Sequence, residues 1–306
     1  MSRVVVVGGG LSGLAVAALL EQQGIDYTLI EVKRRLGGSL ISKTVDEFIF
    51  DGSGFLSDLA LRNHPLIAEW GLQDSLVEAG EGLIFRQGVQ SLIDALSTRI
   101  TGPRLMRMAL SSIGELDGGS LALCMENGLM LNARAIILAL PARYAERVFY
   151  GYRSQITEHL LTYRYDNLFR LSFGYRSPSL ELPTPPEALF TNQISLAERG
   201  GTIVQVGLST TWQAPLADEK VRDLCNAWGW PPADALYSHD WAEADPITPS
   251  TPEYPAWRED LMGMLPPRVA LIGSDYVQMP LTHGINPLSQ CLSQAQEAVQ
   301  KILAEL

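Results

Sequence analysis

The chain has 306 residues, of which 46% are hydrophobic and 19% charged, so it can bury a large core and has too little charge for wholesale disorder. A formal net charge of -11 argues against the basic surface that nucleic acid requires, and it disfavours anionic membrane surfaces for the same reason. No apolar run reaches the roughly 18 residues of a spanning helix, so no transmembrane segment is expected. The apolar stretch Val4 to Val7 runs straight into glycines, with neither a basic region nor a cleavage-type site, and no secretory leader is expected. Cys124, Cys225 and Cys291 lie far apart, which points to free thiols in a reducing cytoplasm. The four histidines are equally scattered, and no metal site is expected.

The first element, Arg3 to Val7, is a continuous apolar run that reads as a buried parallel strand. Gly8, Gly10 and Gly13 follow in G-x-G-x-x-G spacing, with Leu11 and Ser12 between the last two. A helical pattern from Leu14 to Gln23 closes at Gly24, and a second strand from Tyr27 to Ile30 ends at Glu31. This order of strand, glycine turn, helix, strand and acid is the dinucleotide fingerprint. Gly8 allows the tight turn, Gly10 lets the backbone approach a diphosphate, and Gly13 permits close helix–strand packing. The helix N-terminus offers N–H groups and a positive dipole end to the phosphates, and Glu31 is placed to accept from ribose hydroxyls.

Beyond Glu31 the chain carries Arg35, Gly37, Gly38 and Ser39. The spacing resembles the E-x-x-x-R-x-G-G element of the flavin-containing amine oxidase and protoporphyrinogen oxidase superfamily. A purely nicotinamide-binding domain does not need this second glycine pair. The resemblance implies that the loop runs along an extended FAD, with Ser39 standing where the family usually has arginine. Phe50 to Phe55, including Gly54, resembles the family's F-D-x-G segment near the flavin, and Phe85 to Leu92 its glycine turn into a helix. Val89, Leu92, Ile93, Leu96 and Ile100 are spaced for one buried helical face. Strands are expected at Leu105 to Ile113, Ser120 to Met125 and Ala135 to Leu140. The resemblance implies that the backbone near Leu110 meets adenine.

The middle of the chain diverges. Phe169 to Tyr175 and Ile203 to Leu208 alternate in period two and predict an antiparallel sheet with one covered face. Asp218 to Trp230 reads as a helix, and Pro178 to Pro186 and Pro246 to Pro255 as proline-rich loops. Val269 to Ile272 is the last buried strand. Gly273 and Asp275 after it match a family position whose acid contacts the ribityl chain or diphosphate, with Ser274 permitting a one-residue shift of register. His283, Gly284, Ile285 and Asn286 then lead into a long amphipathic helix, for which Asn286 is the expected N-cap and Pro287 the first-turn residue. Its N-terminus is expected to face the flavin's pyrimidine edge.

The expected fold class is α/β: a Rossmann-type FAD-binding domain with an inserted α+β substrate domain built on an antiparallel sheet. Residues 1–62, 82–145 and 262–306 would form the former, and 63–81 and 146–261 the latter, whose sheet would roof the flavin. Tyr254, Trp257, Tyr276 and His283 are pocket candidates. Many amine oxidases of the resembling family place a lysine near flavin N5, and none of the four lysines here sits on a strand expected to face the ring. The family's covalent subfamily attaches flavin through a cysteine ahead of the last strand, and no cysteine lies between Trp241 and Gly273, so the resemblance implies non-covalent FAD. The resemblance implies hydride transfer from a small-molecule substrate to flavin N5, with molecular oxygen or another acceptor taking the electrons. An amine, a porphyrinogen-like ring and a reduced nicotinamide, as in renalase-like relatives, remain open as substrates. A non-catalytic FAD-binding or maturation protein is the alternative of another class.

Overall fold

A computed structural model describes residues 2–178, 180–209, 218–238, 245–247, 251–280 and 284–306. The chain begins with β1 (Ser2–Val7), α1 (Leu11–Gln22) and β2 (Tyr27–Glu31). Helix α1 is buried at every residue from Leu11 to Leu20, so it is apolar all round rather than striped. A hairpin of β3 (Ser42–Val45) and β4 (Phe48–Asp51) precedes β5 (Leu56–Ser57), α2 (Pro65–Glu69), β6 (Leu76–Ala79), β7 (Gly82–Phe85) and α3 (Gln90–Ser97). Then come β8 (Arg104–Met106), β9 (Leu110–Glu115), β10 (Leu121–Met125) and β11 (Met130–Leu138). Helices α4 (Ala142–Phe149) and α5 (Ser154–Leu161) lead to β12 (Asp166–Tyr175), β13 (Ala188–Leu196) and β14 (Gly201–Ser209). Helix α6 (Asp218–Trp228), β15 (Ala235–Ser238), β16 (Asp245–Ile247) and α7 (Tyr254–Met264) follow. The last elements are β17 (Val269–Leu271), β18 (Ile285–Asn286) and α8 (Leu288–Ala304).

The first sheet is ordered β8-β2-β1-β11-β10-β9. Strands β8, β2, β1 and β11 run parallel, while β9, β10 and β11 form an antiparallel meander. Strand β11 serves two neighbours on one edge. Residues 130–133 pair with β10, and residues 136–138 pair in parallel with β17. One face buries α1, α3 and α8 around Val4, Leu14, Leu92 and Leu292. The other buries Val5, Ile136, Phe149 and Leu261 under α4, α5 and α7. This is a Rossmann-like region, and the rest of the chain adds a larger mixed β region to it.

The second sheet is ordered β13-β14-β12-β15, with β16 pairing the start of β12. One face packs Phe173, Val204 and Val206 against Trp228 and Trp230. The expectation of a single covered face is corrected here. Ile203, Ile194 and Tyr237 on the other face pack against Phe48 and Phe50 of the β3–β4 hairpin. The fit is close enough that a Cβ on Gly174 would lie 2.6 Å from the Phe48 ring. Two further expectations shift. Pro246 sits within the edge strand β16, the position in a sheet where proline is tolerated. The proline stretch ends in α7, with Pro255 in the first turn, where an N–H would be unpaired anyway.

The second sheet is joined to the β3–β4 hairpin by a buried ion pair. Arg199, fully buried in the turn after β13, places Nη2 2.8 Å from Asp51 Oδ2 at the end of β4. Its other N–H groups donate to the carbonyls of Ile49 and Phe85. Asp51 Oδ1 accepts from Ser42 Oγ at 2.6 Å and from Val89 N at 3.0 Å. Removing one partner of such a pair leaves a buried charge uncompensated. Arg199→Met is therefore expected to lose about 3–5 kcal/mol in urea denaturation. Adding Asp51→Asn should recover part of that loss. A single-variant loss below about 1 kcal/mol, the worth of an exposed pair, would contradict this role.

Candidate cofactor site

Strands β1 and β11 are adjacent, yet the chain leaves them toward opposite edges of the sheet, which opens a crevice beyond their carboxyl ends. The glycine turn occupies it. A Cβ on Gly8 would lie 2.2 Å from the Ala139 carbonyl oxygen, and one on Gly13 would lie 1.8 Å from the Gly8 oxygen. Gly8 also has φ +105°. Both glycines are demanded by the protein's own packing. Gly10 differs: its φ is -74°, open to any residue, and a Cβ there would meet nothing closer than Gly38 Cα at 3.9 Å. No backbone or packing reason within the protein requires glycine at position 10. The first-turn N–H groups of α1, at Leu11, Ser12 and Gly13, have no intrahelical acceptors and open toward this space.

Glu31 is buried at the end of β2. Its carboxylate accepts from Gly9 N at 2.6 Å and from Lys33 N at 2.7 Å. An ionised carboxylate offers about four acceptor positions, so capacity remains for further donors. The second glycine pair lies directly against the first turn. Gly37 N donates to Gly9 O at 2.7 Å, and a Cβ on Gly38 would be 3.1 Å from Gly10 Cα. Arg35 is exposed and folds back on its own loop, donating to the carbonyls of Leu36 and Gly38. Ser39 is exposed beside it. Leu110 opens β9 with its side chain in the core, next to Met108, whose N–H donates to Glu31 O.

At the other end of the crevice two glycine loops meet. Ile285 and Asn286 pair in parallel with Leu56 and Ser57, and a Cβ on Gly54 would lie 3.0 Å from Gly284 O. Three amide side chains hold these loops. Asn286 Nδ2 donates to Gly54 O, and Asn192 Nδ2 to Gly284 O at 3.3 Å. Gln205 Nε2 donates to Ser53 O at 3.2 Å and to Ser172 Oγ, while its Oε1 accepts from Phe55 N at 3.4 Å. The β12–β14 and β13–β14 registers put Ser172, Gln205 and Asn192 in one row across the sheet, with Arg170 one step along. Sequence reading missed Gln205 and Asn192. A single polar residue inside the apolar run Ile203 to Leu208 was the available clue.

Several site expectations change. Asn286 is not the N-cap of α8: it is committed to β18 and to Gly54, and Pro287 occupies the cap position without a side-chain bond. The cap comes from elsewhere, since Ser289 N donates to Asp58 Oδ2 at 3.0 Å. A separation of 231 residues hid this partner from the sequence. Asp275 is buried, and its Oδ2 accepts from Ala142 N at 2.8 Å and from the Tyr165 hydroxyl. It thereby fixes the turn after β11, and Ser274 is the exposed neighbour of Gly273. Tyr254 and Tyr276 are core residues rather than pocket walls. The Tyr254 hydroxyl meets the carbonyls of Asp275 and Val277, and that of Tyr276 donates to Leu140 O. Burial pushes both phenols well above their ordinary pKa. Trp257 packs on His159 and Tyr163. Lys43, on β3, is exposed and holds its ammonium 5.3 Å from the Tyr237 ring. His283 lies outside the described residues, as does Trp241. Among the described residues no helix is long and apolar enough to cross a membrane.

Residues 6–64 match the NAD(P)-binding Rossmann-like domain family. The chain is 14% identical to a cyclohexylamine oxidase from Brevibacterium oxydans IH-35A, with a TM-score of 0.78 over 99% of both chains. It superposes on a putative protoporphyrinogen oxidase from Exiguobacterium sp. 255-15 with a TM-score of 0.73, at 14% identity over 100% of this chain and 99% of that one. The chain has the flavin amine oxidase fold. Among curated sequences it is 34% identical over 87 residues to amine oxidase [flavin-containing] A of Sus scrofa, covering 28% of this chain and 16% of that protein. It is 32% identical over 95 residues to protoporphyrinogen oxidase 2, chloroplastic/mitochondrial, of Arabidopsis thaliana, covering 30% of this chain and 19% of that one. The matched segments thus span less than a fifth of these curated relatives.

The contrast among the three glycines yields a test. Gly10→Ala is expected to leave the thermal midpoint of the ligand-free protein within a few degrees of wild type while weakening dinucleotide binding strongly. Gly13→Ala should instead destabilise the fold, because its methyl group collides with backbone. Calorimetry and flavin titration of the two variants separate these effects. Equal cofactor affinity in Gly10→Ala and wild type would remove Gly10 from the site.

Proposed function

We propose that this chain is an FAD-dependent oxidoreductase of the flavin amine oxidase-like superfamily, acting on a small-molecule substrate. The observation that carries the reading is the space in front of Gly10, bordered by Gly38 and the first turn of α1. A glycine that the protein's own packing does not require is explained by a ligand that must approach the backbone there. The residues around it suit FAD. The first turn of α1 would hold the diphosphate with Leu11, Ser12 and Gly13, aided by Gly37, Gly38, Ser39 and Arg35. Glu31 would take the adenosine ribose and the backbone at Leu110 the adenine. Gly273 and Asp275 would border the ribityl chain or the diphosphate. Gly54, Phe55, Gly284, Ile285 and Asn286 would border the ring. Bound FAD would supply hydride acceptance at N5, and oxygen or another acceptor would return it to the oxidised form.

On this reading residues 1–62, 82–145 and 262–306 bind the cofactor, while 63–81 and 146–261 shape the substrate space. The protein's part is orientation and exclusion of water. Gln205, Asn192 and Asn286 fix the two glycine loops that frame the ring, and the buried row of Arg170, Ser172 and Gln205 faces them. No cysteine in the sequence between Trp241 and Gly273 offers a covalent tether, which supports non-covalent FAD. The unpaired cysteines fit a reducing compartment.

Purified protein is expected to be yellow and to release intact FAD into the supernatant on denaturation. Flavin retained on the precipitate would refute the non-covalent assignment, and bound NAD without flavin would refute the cofactor. Anaerobic mixing with amines, porphyrinogens and reduced nicotinamides is expected to bleach the flavin with one of these classes. A flavin that none of them bleaches would favour a protein that holds FAD without turning it over.

A further inference from the structure

We propose that Asp58 is a positioning residue that lowers the reduction potential of the bound cofactor by placing a carboxylate against the N-terminus of α8. The inference rests on the FAD reading above. Helix α8 has 17 residues, and its first turn lies beside β18, the strand proposed to border the ring. A bare helix N-terminus presents partial positive charge and would favour the extra negative charge of a reduced cofactor. Here that end is not bare. Asp58 Oδ2 accepts from Ser289 N at 3.0 Å, and Asp58 N donates to Asn286 O at 3.1 Å. The carboxylate is thus tied to the first turn of α8, and the Asp58 backbone to the strand beside it.

The second oxygen is the more telling. Asp58 Oδ1 is buried without a hydrogen-bond partner. A neutral cap, serine or asparagine, would satisfy Ser289 N equally well without leaving a buried carboxylate oxygen unpaired. The charge itself is therefore what distinguishes aspartate at this position. Its charge is felt within the first turn of α8: behind burial, the main cause, it contributes to raising the pKa of the Cys291 thiol. Cys291 also receives a hydrogen bond from Ser12 in the first turn of α1. The N-termini of α1 and α8 converge at this point, so Asp58 acts where both positive helix ends meet. It offsets one of them and disfavours added negative charge on the ring.

Asp58→Asn and Asp58→Ser both keep a capping group and remove the charge. Each holoprotein is expected to show a midpoint potential about 20 mV more positive, the two-electron equivalent of a roughly fivefold shift from one charge at a helix end. Asp58→Glu, which retains the charge, should stay near the wild-type potential. The reading is overturned if Asp58→Asn and Asp58→Ser bind FAD with an unchanged or more negative potential. It is equally overturned if Asp58→Glu shifts as far as the neutral variants, since the effect would then be structural. A wild-type protein that takes up no FAD would instead overturn the cofactor assignment, and this inference with it.

Discussion

A Cβ on Gly13 would sit 1.8 Å from the carbonyl oxygen of Gly8, and one on Gly8 would sit 2.2 Å from that of Ala139. Three segments, the end of β1, the start of α1 and the end of β11, pass one another at backbone contact, and only residues without side chains permit it. That closeness lets α1 lie flat on the sheet with every residue from Leu11 to Leu20 buried. It also brings Gly9 within 2.6 Å of Glu31 and 2.7 Å of Gly37 N. The crevice is thus a consequence of how tightly the chain packs on either side of one open position, Gly10.

The second sheet is tied to the β3–β4 hairpin and the segment after β7 through few but strongly committed groups. Asp51 and Arg199 are buried together, and their remaining hydrogen-bonding capacity goes to Ser42, Val89, Ile49 and Phe85. A pair of this kind adds little net stability over an apolar replacement, because desolvation offsets attraction. What it does provide is register. Asp51 ends the strand that delivers Ser53 to Phe55 into the crevice, and Arg199 turns the chain between β13 and β14, which carry Asn192 and Gln205. Fixing one ion pair therefore aligns the amide side chains with the loops they hold. The aromatic contacts of Phe48 with Gly174 and of Phe50 with Tyr237 fill the space around that link.

Buried charge also explains where the acids ended up. Asp275, Asp58 and Glu31 all lie near the crevice, yet each is tied to backbone N–H groups of the protein. A carboxylate that accepts from backbone holds its segment in place. Glu31 anchors the glycine turn, Asp275 the turn after β11, and Asp58 the first turn of α8. The three acids thus set the positions of the loops around the site before any ligand is considered.

The sequence by itself determined the elements whose information is local. Continuous apolar runs marked β1 and β2, the G-x-G-x-x-G spacing marked the turn into α1, and period-two alternation marked β12 and β14. Glycine positions were legible because a missing side chain is visible in one letter. The tertiary structure alone decided the partners. Asp275 and Ser274 differ by one position, and only the turn after β17 selects which of them faces the core. Asn286 and Pro287 looked like a helix start, but pairing with Leu56 and Ser57 claims Asn286 for a strand. The cap came from Asp58, 231 residues away, and Gln205 met Ser53 across 152. Local propensity is written along the chain, whereas a hydrogen bond between distant segments exists only once packing has brought their backbones together.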